Sequence, residues 1–272
     1  MNIAQALEMR GGIDSYERQE AAWLLEHILG IKSLELKLRL EQELTEIQEQ
    51  SYLAGLNRID QGEPLAYVTG SQPFWTLDLK VTHDTLVPRP DTEILVETVL
   101  NLPLAQDANI VDLGTGTGAI ALALASERSQ WQVTATDIYP PTLDVAKENA
   151  LRHGLMQVKF VCGSWFDALD TQQFDLIVSN PPYIDPDDVH MQKLKSEPER
   201  ALIAGQQGLA DIRTIIMQGK NWLKPQGWLV LEHGYDQGQA VRDIFEQQGF
   251  SQVQTIQDYG ANDRVSLGRK IT

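Results

Sequence analysis

The sequence predicts an α/β fold, a largely parallel sheet covered by helices on both faces, preceded by a small helical domain. Three observations carry the prediction. From Pro88 onward, short apolar runs of strand length alternate with amphipathic stretches, the pattern that right-handed strand, helix, strand crossovers produce. Before residue 75 the apolar residues recur only at helical spacing. Between the two, from Phe74 to Val87, the period switches to two.

Taken in order, Asp14 with Glu17 three positions on makes a capping-box signature. The helix it opens carries Ala21, Leu25, Ile28 and Leu29 on one face and stops at Gly30. A second helix has Leu44, Ile47, Leu56 and Ile59 at helical spacing and ends near Gly62. Leu77, Leu79 and Val81 then alternate as a short strand pair. Strands are expected at 109–113, 132–136, 158–161, 174–179 and 227–232, with two late ones near 251–257 and 265–268. The expected organisation is a helical domain over 1–75, a β-hairpin linker over 76–87 and a sheet domain over 88–272.

Composition excludes several function classes. The 272 residues are 42% hydrophobic and 22% charged, ordinary globular values, and the net charge of -16 is the wrong sign for gripping a phosphate backbone. No direct nucleic-acid partner is expected. The single cysteine, Cys162, rules out an internal disulfide and fits a reducing, cytoplasmic setting, where it reads as a packed small residue. The five histidines lie far apart with no second cysteine beside them, so no metal site is expected. The opening residues lack the basic head and apolar core of a signal peptide, and no run approaches the ~18 apolar residues of a membrane helix.

The segment from Ile110 to Gly118 runs from a buried strand into a helix through a turn with glycine at alternate positions, Gly114, Gly116 and Gly118, and threonine between them, Thr115 and Thr117. A ligand can approach such a backbone closely, and the amides of the following helix favour anions. Asp137, at the end of the next strand, can take both hydroxyls of a ribose. Nicotinamide dinucleotides and S-adenosyl-L-methionine both fit this logic. The acid two residues before the first glycine, Asp112, tilts the case: acid-x-Gly-x-Gly-x-Gly resembles motif I of class I, Rossmann-like methyltransferases.

Asn180-Pro181-Pro182-Tyr183 follows the apolar run Phe174–Ser179, at the carboxyl end of a strand, where open α/β sheets place their ligands. Each proline keeps the residue before it out of the helical region, and neither has an N–H, so the loop is stiff. It leaves two acceptors, the Asn180 side-chain oxygen and the Pro181 carbonyl. Together they suit a planar –NH2 group, and Tyr183 can stack on a flat substrate.

These residues together resemble the release-factor glutamine N5-methyltransferases, the PrmC/HemK type, over nearly the whole chain. The resemblance includes Pro64–Gly70, Phe74-Trp75, Pro88–Glu93, Asp112–Gly118, Ser164–Phe166, Asn180–Ile184, Glu197-Pro198, Leu231–Gly234 and Asp258–Gly260. It implies methyl transfer from S-adenosyl-L-methionine to the glutamine amide in the Gly-Gly-Gln motif of peptide-chain release factors. Gly114 to Gly118, Asp112, Asp137, Trp165 and Asn180 would line the cofactor. Asn180, Pro181, Pro182 and Tyr183 would hold the amide, and the helical domain would recognise the protein substrate, with the enzyme acting as a monomer. The sequence departs from the family at Gln207, where an acid is expected before Gly208-Leu209.

An amino-group methyltransferase acting on adenine or guanine in nucleic acid would use the same tetrapeptide. It calls for a basic channel, and the first 75 residues carry six Lys and Arg against twelve Asp and Glu. Asp185, Asp187 and Asp188 resemble the start of a calcium loop, but His190 stands where glycine is needed and Ser196 where glutamate is needed. Arg89 and Glu93 read either as residues that order the hinge or substrate loop or as an ordinary surface pair.

Overall fold

The computed structural model describes residues 1–188, 191 and 194–271. They fall into two units, Met1–Gly70 and Ser71–Thr272. The first contains α1 (Ile3–Glu8), α2 (Tyr16–Leu29), α3 (Ser33–Leu38), α4 (Glu46–Asp60) and α5 (Leu65–Thr69). Its core gathers Ile3, Ala21, Leu24, Leu25, Tyr52 and Leu56. The Tyr52 hydroxyl, on a fully buried ring, donates to the Ala6 carbonyl at 2.7 Å, which satisfies the one polar atom the ring brings inside.

Both long helices stand where the periodicity places them, but their starts differ from expectation. Ser15, in extended conformation, caps α2 by accepting from the Arg18 amide at 3.2 Å, so Asp14 lies one residue too early to be the cap. Gly30 ends α2 at φ 64, a left-handed position that costs a side chain energy. Thr45 and Gln48 form a reciprocal capping box for α4, which leaves Leu44 outside the helix. Ile47 is 77% exposed, and the buried face runs instead through Tyr52, Gly55, Leu56 and Ile59. Three helices of five or six residues, α1, α3 and α5, are too short to show a period.

The second unit opens with an antiparallel hairpin, β1 (Ser71–Phe74) and β2 (Leu77–Lys80), in which Phe74 pairs with Leu77. The hairpin starts five residues before the expected linker and is no linker. Phe74, Leu77 and Leu79 are buried in the same cluster as α6 (Thr92–Leu100). After α6 come β3 (Asn109–Leu113), α7 (Ala119–Glu127), β4 (Gln132–Asp137), α8 (Pro140–Arg152), β5 (Lys159–Cys162) and β6 (Phe174–Ser179). A short 3-10 turn, Glu199–Ala201, precedes α9 (Ala210–Trp222), β7 (Leu223–Glu232), α10 (Gly238–Gln247), β8 (Ser251–Gln257) and β9 (Asp263–Arg269). Asn149 of α8 pins the hairpin, accepting from the Lys80 amide at 2.7 Å and donating to its carbonyl at 3.0 Å.

The seven strands run β5-β4-β3-β6-β7-β9-β8, parallel from β5 through β7, with β9 antiparallel to both its neighbours. Alternate residues feed opposite cores. Ile110, Leu176, Val178 and Val230 join the cluster that contains α6 and α7, whereas Val111, Ile177, Leu229 and Leu231 join the one that contains α9 and α10. Burial on both faces is what the unbroken apolar strands require. The chain winds outward from β3 in one direction and from β6 in the other, so the carboxyl ends of β3 and β6 flank the switch point where such sheets bind ligands. Leu113 pairs with Ser179, which sets Gly114 and Asn180 side by side. Among the described residues no helix is long and apolar enough to cross a membrane.

Candidate active site

Gly114, Gly116 and Gly118 follow β3 at φ 72, 58 and 85, all left-handed, which is why the turn takes glycine at alternate positions. Gly114 is doubly constrained, because a Cβ there would stand 3.2 Å from the Trp165 ring. Asp112 lies beneath the turn and is fully buried. Its Oδ2 accepts from the Thr115 hydroxyl at 2.6 Å and from the Ala121 amide at 3.3 Å, while Oδ1 has no partner among the described residues. Burial pushes its pKa up to about 7 against those two hydrogen bonds.

Asp137, at the end of β4, accepts from the Gly116 amide at 3.1 Å on Oδ2 and the Tyr139 amide at 3.0 Å on Oδ1. Burial raises its pKa, and the amides and Arg200 oppose the shift. Each oxygen keeps acceptor capacity toward a ligand. Trp165 sits at φ 45, uncommon for any residue but glycine, and burial raises the pKa of nearby Asp211, with Trp165 opposing the shift.

The Asn180 side-chain nitrogen donates to the Thr92 hydroxyl at the start of α6, at 3.2 Å. Tyr183 donates its hydroxyl to Glu232 Oε1, at the end of β7, at 3.2 Å. Glu232 is 1% exposed, and burial pushes its pKa up to about 7, opposed by hydrogen bonding to Thr92, the charge of Arg264 and the Tyr183 hydroxyl. Burial likewise drives the Tyr183 pKa far above the ordinary tyrosine value. Gln237 donates to the carbonyls of Tyr183 at 3.0 Å and Gln207 at 3.1 Å. Gly208 packs so closely there that a Cβ would fall 2.0 Å from the Tyr183 carbonyl oxygen.

A cavity of about 330 Å³ opens at this end of the sheet. The structure brings Gly114, Thr115, Gly116, Thr117, Asp137, Trp165, Asn180 and Pro182 onto its wall. Four expected residues do not line it. Asp112 is under the turn, Gly118 faces Leu122 and Ala146 of the core, Pro181 is buried, and Tyr183 turns toward Glu232. Thr92, Arg200 and Asp211 line the cavity without having been singled out. Arg200 stacks its guanidinium 3.9 Å from the centre of the Tyr139 ring and donates to the Asp84 carbonyl at 2.7 Å.

Other expectations need correction or placement. Cys162 is exposed, because it ends the edge strand β5, where no further strand covers it. Arg89 and Glu93 do not pair with each other. Arg89 bridges to the buried Glu197, which also accepts from the Val87 amide at 3.2 Å, and Glu93 accepts from the Trp75 amide at 2.8 Å. Asp185 closes a local turn by accepting from the Asp187 amide, and His190 lies outside the described residues. Gln206 and Gln207, at φ 56 and 59, lead into Gly208 through a left-handed stretch that no local motif announces.

Comparison with known proteins completes the picture. The family model described as Methyltransferase small domain matches residues 90–259, and that described as PrmC N-terminal domain matches residues 2–70. The chain is 47% identical over 254 residues to the release factor glutamine methyltransferase of Salmonella typhimurium, covering 93% of this chain and 92% of that protein. It is 41% identical over 270 residues to the release factor glutamine methyltransferase of Coxiella burnetii, covering 99% and 96%. Its fold is similar to that of a methyltransferase from Pyrococcus furiosus, with a TM-score of 0.57 and 20% identity over 79% of this chain and 98% of the other. With a Rossmann-like methyltransferase sheet, a glycine turn and an Asn-Pro-Pro-Tyr loop side by side, and relatives aligned along almost its full length, the chain belongs to the release factor glutamine methyltransferase family.

Proposed function

We propose that the chain transfers a methyl group from S-adenosyl-L-methionine to the side-chain amide nitrogen, N5, of the glutamine in the Gly-Gly-Gln motif of peptide-chain release factors. The observation that carries this is Asn180, whose amide nitrogen is held by Thr92, on the wall of the cavity that the glycine turn also lines. The residues present fit the cofactor. Side-chain-free backbone at Gly114 and Gly116 lets a ligand come close, and Asp137 keeps lone pairs for ribose hydroxyls after accepting two amides. Trp165, on the cavity wall with its ring against Gly114, offers a flat face to adenine. Asp112 acts from beneath, by fixing Thr115.

When bound, S-adenosyl-L-methionine supplies a methyl group already activated by its sulfonium. The protein's task is to aim the substrate nitrogen. Asn180 Oδ1 and the Pro181 carbonyl accept its two N–H bonds, which fixes its direction and pushes electron density back onto an atom whose lone pair amide resonance otherwise withdraws. Alignment of this kind is worth up to about 7–11 kcal/mol in well-oriented systems. No metal or strong base enters before transfer. The Met1–Gly70 unit supplies recognition of the intact release factor, since a glutamine side chain alone offers too little surface, and the enzyme works as a monomer.

The test is transfer of radiolabel from methyl-labelled S-adenosyl-L-methionine to release factor, tRNA, rRNA and DNA side by side. Label is expected on release factor only, and to vanish when the Gly-Gly-Gln glutamine is replaced by alanine. Label on adenine or guanine would instead assign the chain to nucleic-acid amino-group chemistry.

A further inference from the structure

We propose that Gln237 is a positioning residue for methyl transfer, its side-chain amide fastening the Asn180–Tyr183 loop to the turn ahead of α9 and to the segment that follows β7. The inference rests on the assignment of that loop to the substrate amide. Gln237 stands just before α10 and is 9% exposed, yet its side chain makes no capping bond to that helix. It turns instead to three backbone groups. Oε1 accepts from the Gly234 amide at 2.8 Å, and Nε2 donates to the carbonyls of Tyr183 at 3.0 Å and Gln207 at 3.1 Å. An N–H on one side and two carbonyls on the other admit only this orientation of the amide.

Tyr183 closes the loop after β6, and its hydroxyl goes to Glu232, so with Gln237 both its side chain and its backbone are tied to the end of β7 and the segment beyond. At the other end of the loop Thr92 holds Asn180. Pro181 and Pro182 between them have fixed φ, so the loop shifts as one piece, and a displacement at the Tyr183 carbonyl reaches the two acceptors, Asn180 Oδ1 and the Pro181 carbonyl. Gln206, Gln207 and Gly208 are consecutive left-handed residues, a costly conformation that lasts only where surrounding contacts hold it. Gln237 supplies one such contact, and α9, which follows, carries Asp211 on the cavity wall. The backbones meet too closely for another side chain to share the space: a Cβ on Gly208 would stand 2.0 Å from the Tyr183 carbonyl oxygen and 2.6 Å from Gln237 Nε2.

The experiment compares wild type with Gln237→Glu, Gln237→Met and Val241→Ala in single turnovers on intact release factor at saturating cofactor. Glutamate keeps an acceptor for Gly234 but turns a carboxylate to the two carbonyls, and methionine keeps the length with no donor at all. Both should lower the rate constant on the order of 10²-fold, the scale of a small misplacement of a reacting group. The half-saturating concentration of release factor and the cofactor affinity should stay within threefold, because the Met1–Gly70 unit and the glycine turn are untouched. Val241→Ala removes apolar packing from the same helix and no hydrogen bond, so it should lower the thermal midpoint and the active fraction but leave the rate constant within twofold. Gln237 variants within a few-fold of wild type in rate constant, a loss carried by the active fraction alone, or a Val241→Ala rate constant that falls with theirs would overturn the proposal.

A second readout does not depend on activity. Tyr183-Ile184 is the only Tyr-Ile pair in the sequence, so protein labelled with 13C-carbonyl tyrosine and 15N-isoleucine gives one carbonyl-to-amide correlation, that of Tyr183. Its carbonyl shift should move in Gln237→Met and Gln237→Glu and stay fixed in Val241→Ala. An unmoved signal in the Gln237 variants would mean that Tyr183 is held without Gln237, and refutes the proposal. Should wild type label nucleic acid instead of release factor, the substrate assignment fails, and the same rate comparison on that substrate decides the role of Gln237.

Discussion

Replacing Asp112 with asparagine should remove most of the enzyme's loss of stability between pH 5 and pH 8. The carboxyl is fully buried, and Oδ2 alone makes hydrogen bonds, to Thr115 and Ala121. Asparagine keeps that acceptor and puts its NH2 where the unpartnered oxygen stands. The folded-state pKa of about 7 lies above the ordinary 3.8, so the folded protein holds this proton over a range in which the unfolded chain has lost it. The stability linked to the proton is therefore complete below about pH 4 and is lost as pH rises through 7. Each pH unit in that window is worth about 1.4 kcal/mol. Two such units lie between pH 5 and pH 7, so wild type should lose roughly 3 kcal/mol more than Asp112→Asn between pH 5 and pH 8.

An unpartnered buried NH2 costs about 1–3 kcal/mol, and that cost is the same at every pH. The difference between two pH values therefore isolates the ionisation. Urea unfolding of both proteins at pH 5, 6, 7 and 8 measures it directly, with Glu232 titrating identically in each. Parallel stability curves would refute the reasoning, because they would mean that Asp112 is either solvated or permanently ionised in the folded protein. Cofactor affinity should fall less for Asp112→Asn than for Asp137→Ala, since Asp112 reaches the cavity only through Thr115.

Asn180→Ala should keep the fold and lower single-turnover methyl transfer by roughly 10²–10³-fold at saturating cofactor, the usual loss for a preorganised hydrogen-bond partner. Gly208→Ala places a Cβ 2.0 Å from the Tyr183 carbonyl at φ 77, so activity and thermal midpoint should both fall. Gly62→Ala, at φ 88 with open space around it, should cost only the left-handed penalty of about 1–2 kcal/mol and leave activity intact. A fragment beginning at Ser71 should bind S-adenosyl-L-methionine within threefold of the full chain, by calorimetry, yet label intact release factor poorly. A fragment beginning at Thr82 should be insoluble, because it discards Phe74, Leu77 and Leu79 from the core.

What could be read from the sequence was local. The strands from Asn109 to Glu232 are legible because a strand buried on both faces must be apolar at every position, and the glycine turn is legible because three left-handed residues in five tolerate little else. Asp14 and Ile47 misled for the converse reason. Ser15 competes for the cap one residue away, and Ile47 has the right spacing but lies one turn before the stretch of α4 that packs. Cys162 is small and apolar enough for a core, and only the strand order shows that it stands on an edge. The arrangement around the loop was illegible in principle. Asn180 meets Thr92 across 88 positions and Tyr183 meets Glu232 across 49, distances at which no periodicity links residues. Thr92, Glu197, Glu232 and Asp258 all occur in the strings that carried the family resemblance, yet none had a role there. The fold supplies one for each: Glu197 ties down Arg89, and Asp258 takes the amides of Gly260 and Asn262 and holds Arg264 at 3.1 Å. The charge of Arg264 in turn lowers the Glu232 pKa, against the burial that raises it. A motif that looks inert in sequence is thus a place to ask which buried charge it holds, and here that question leads from Asp258 through Arg264 to Glu232 and the Tyr183 hydroxyl it accepts.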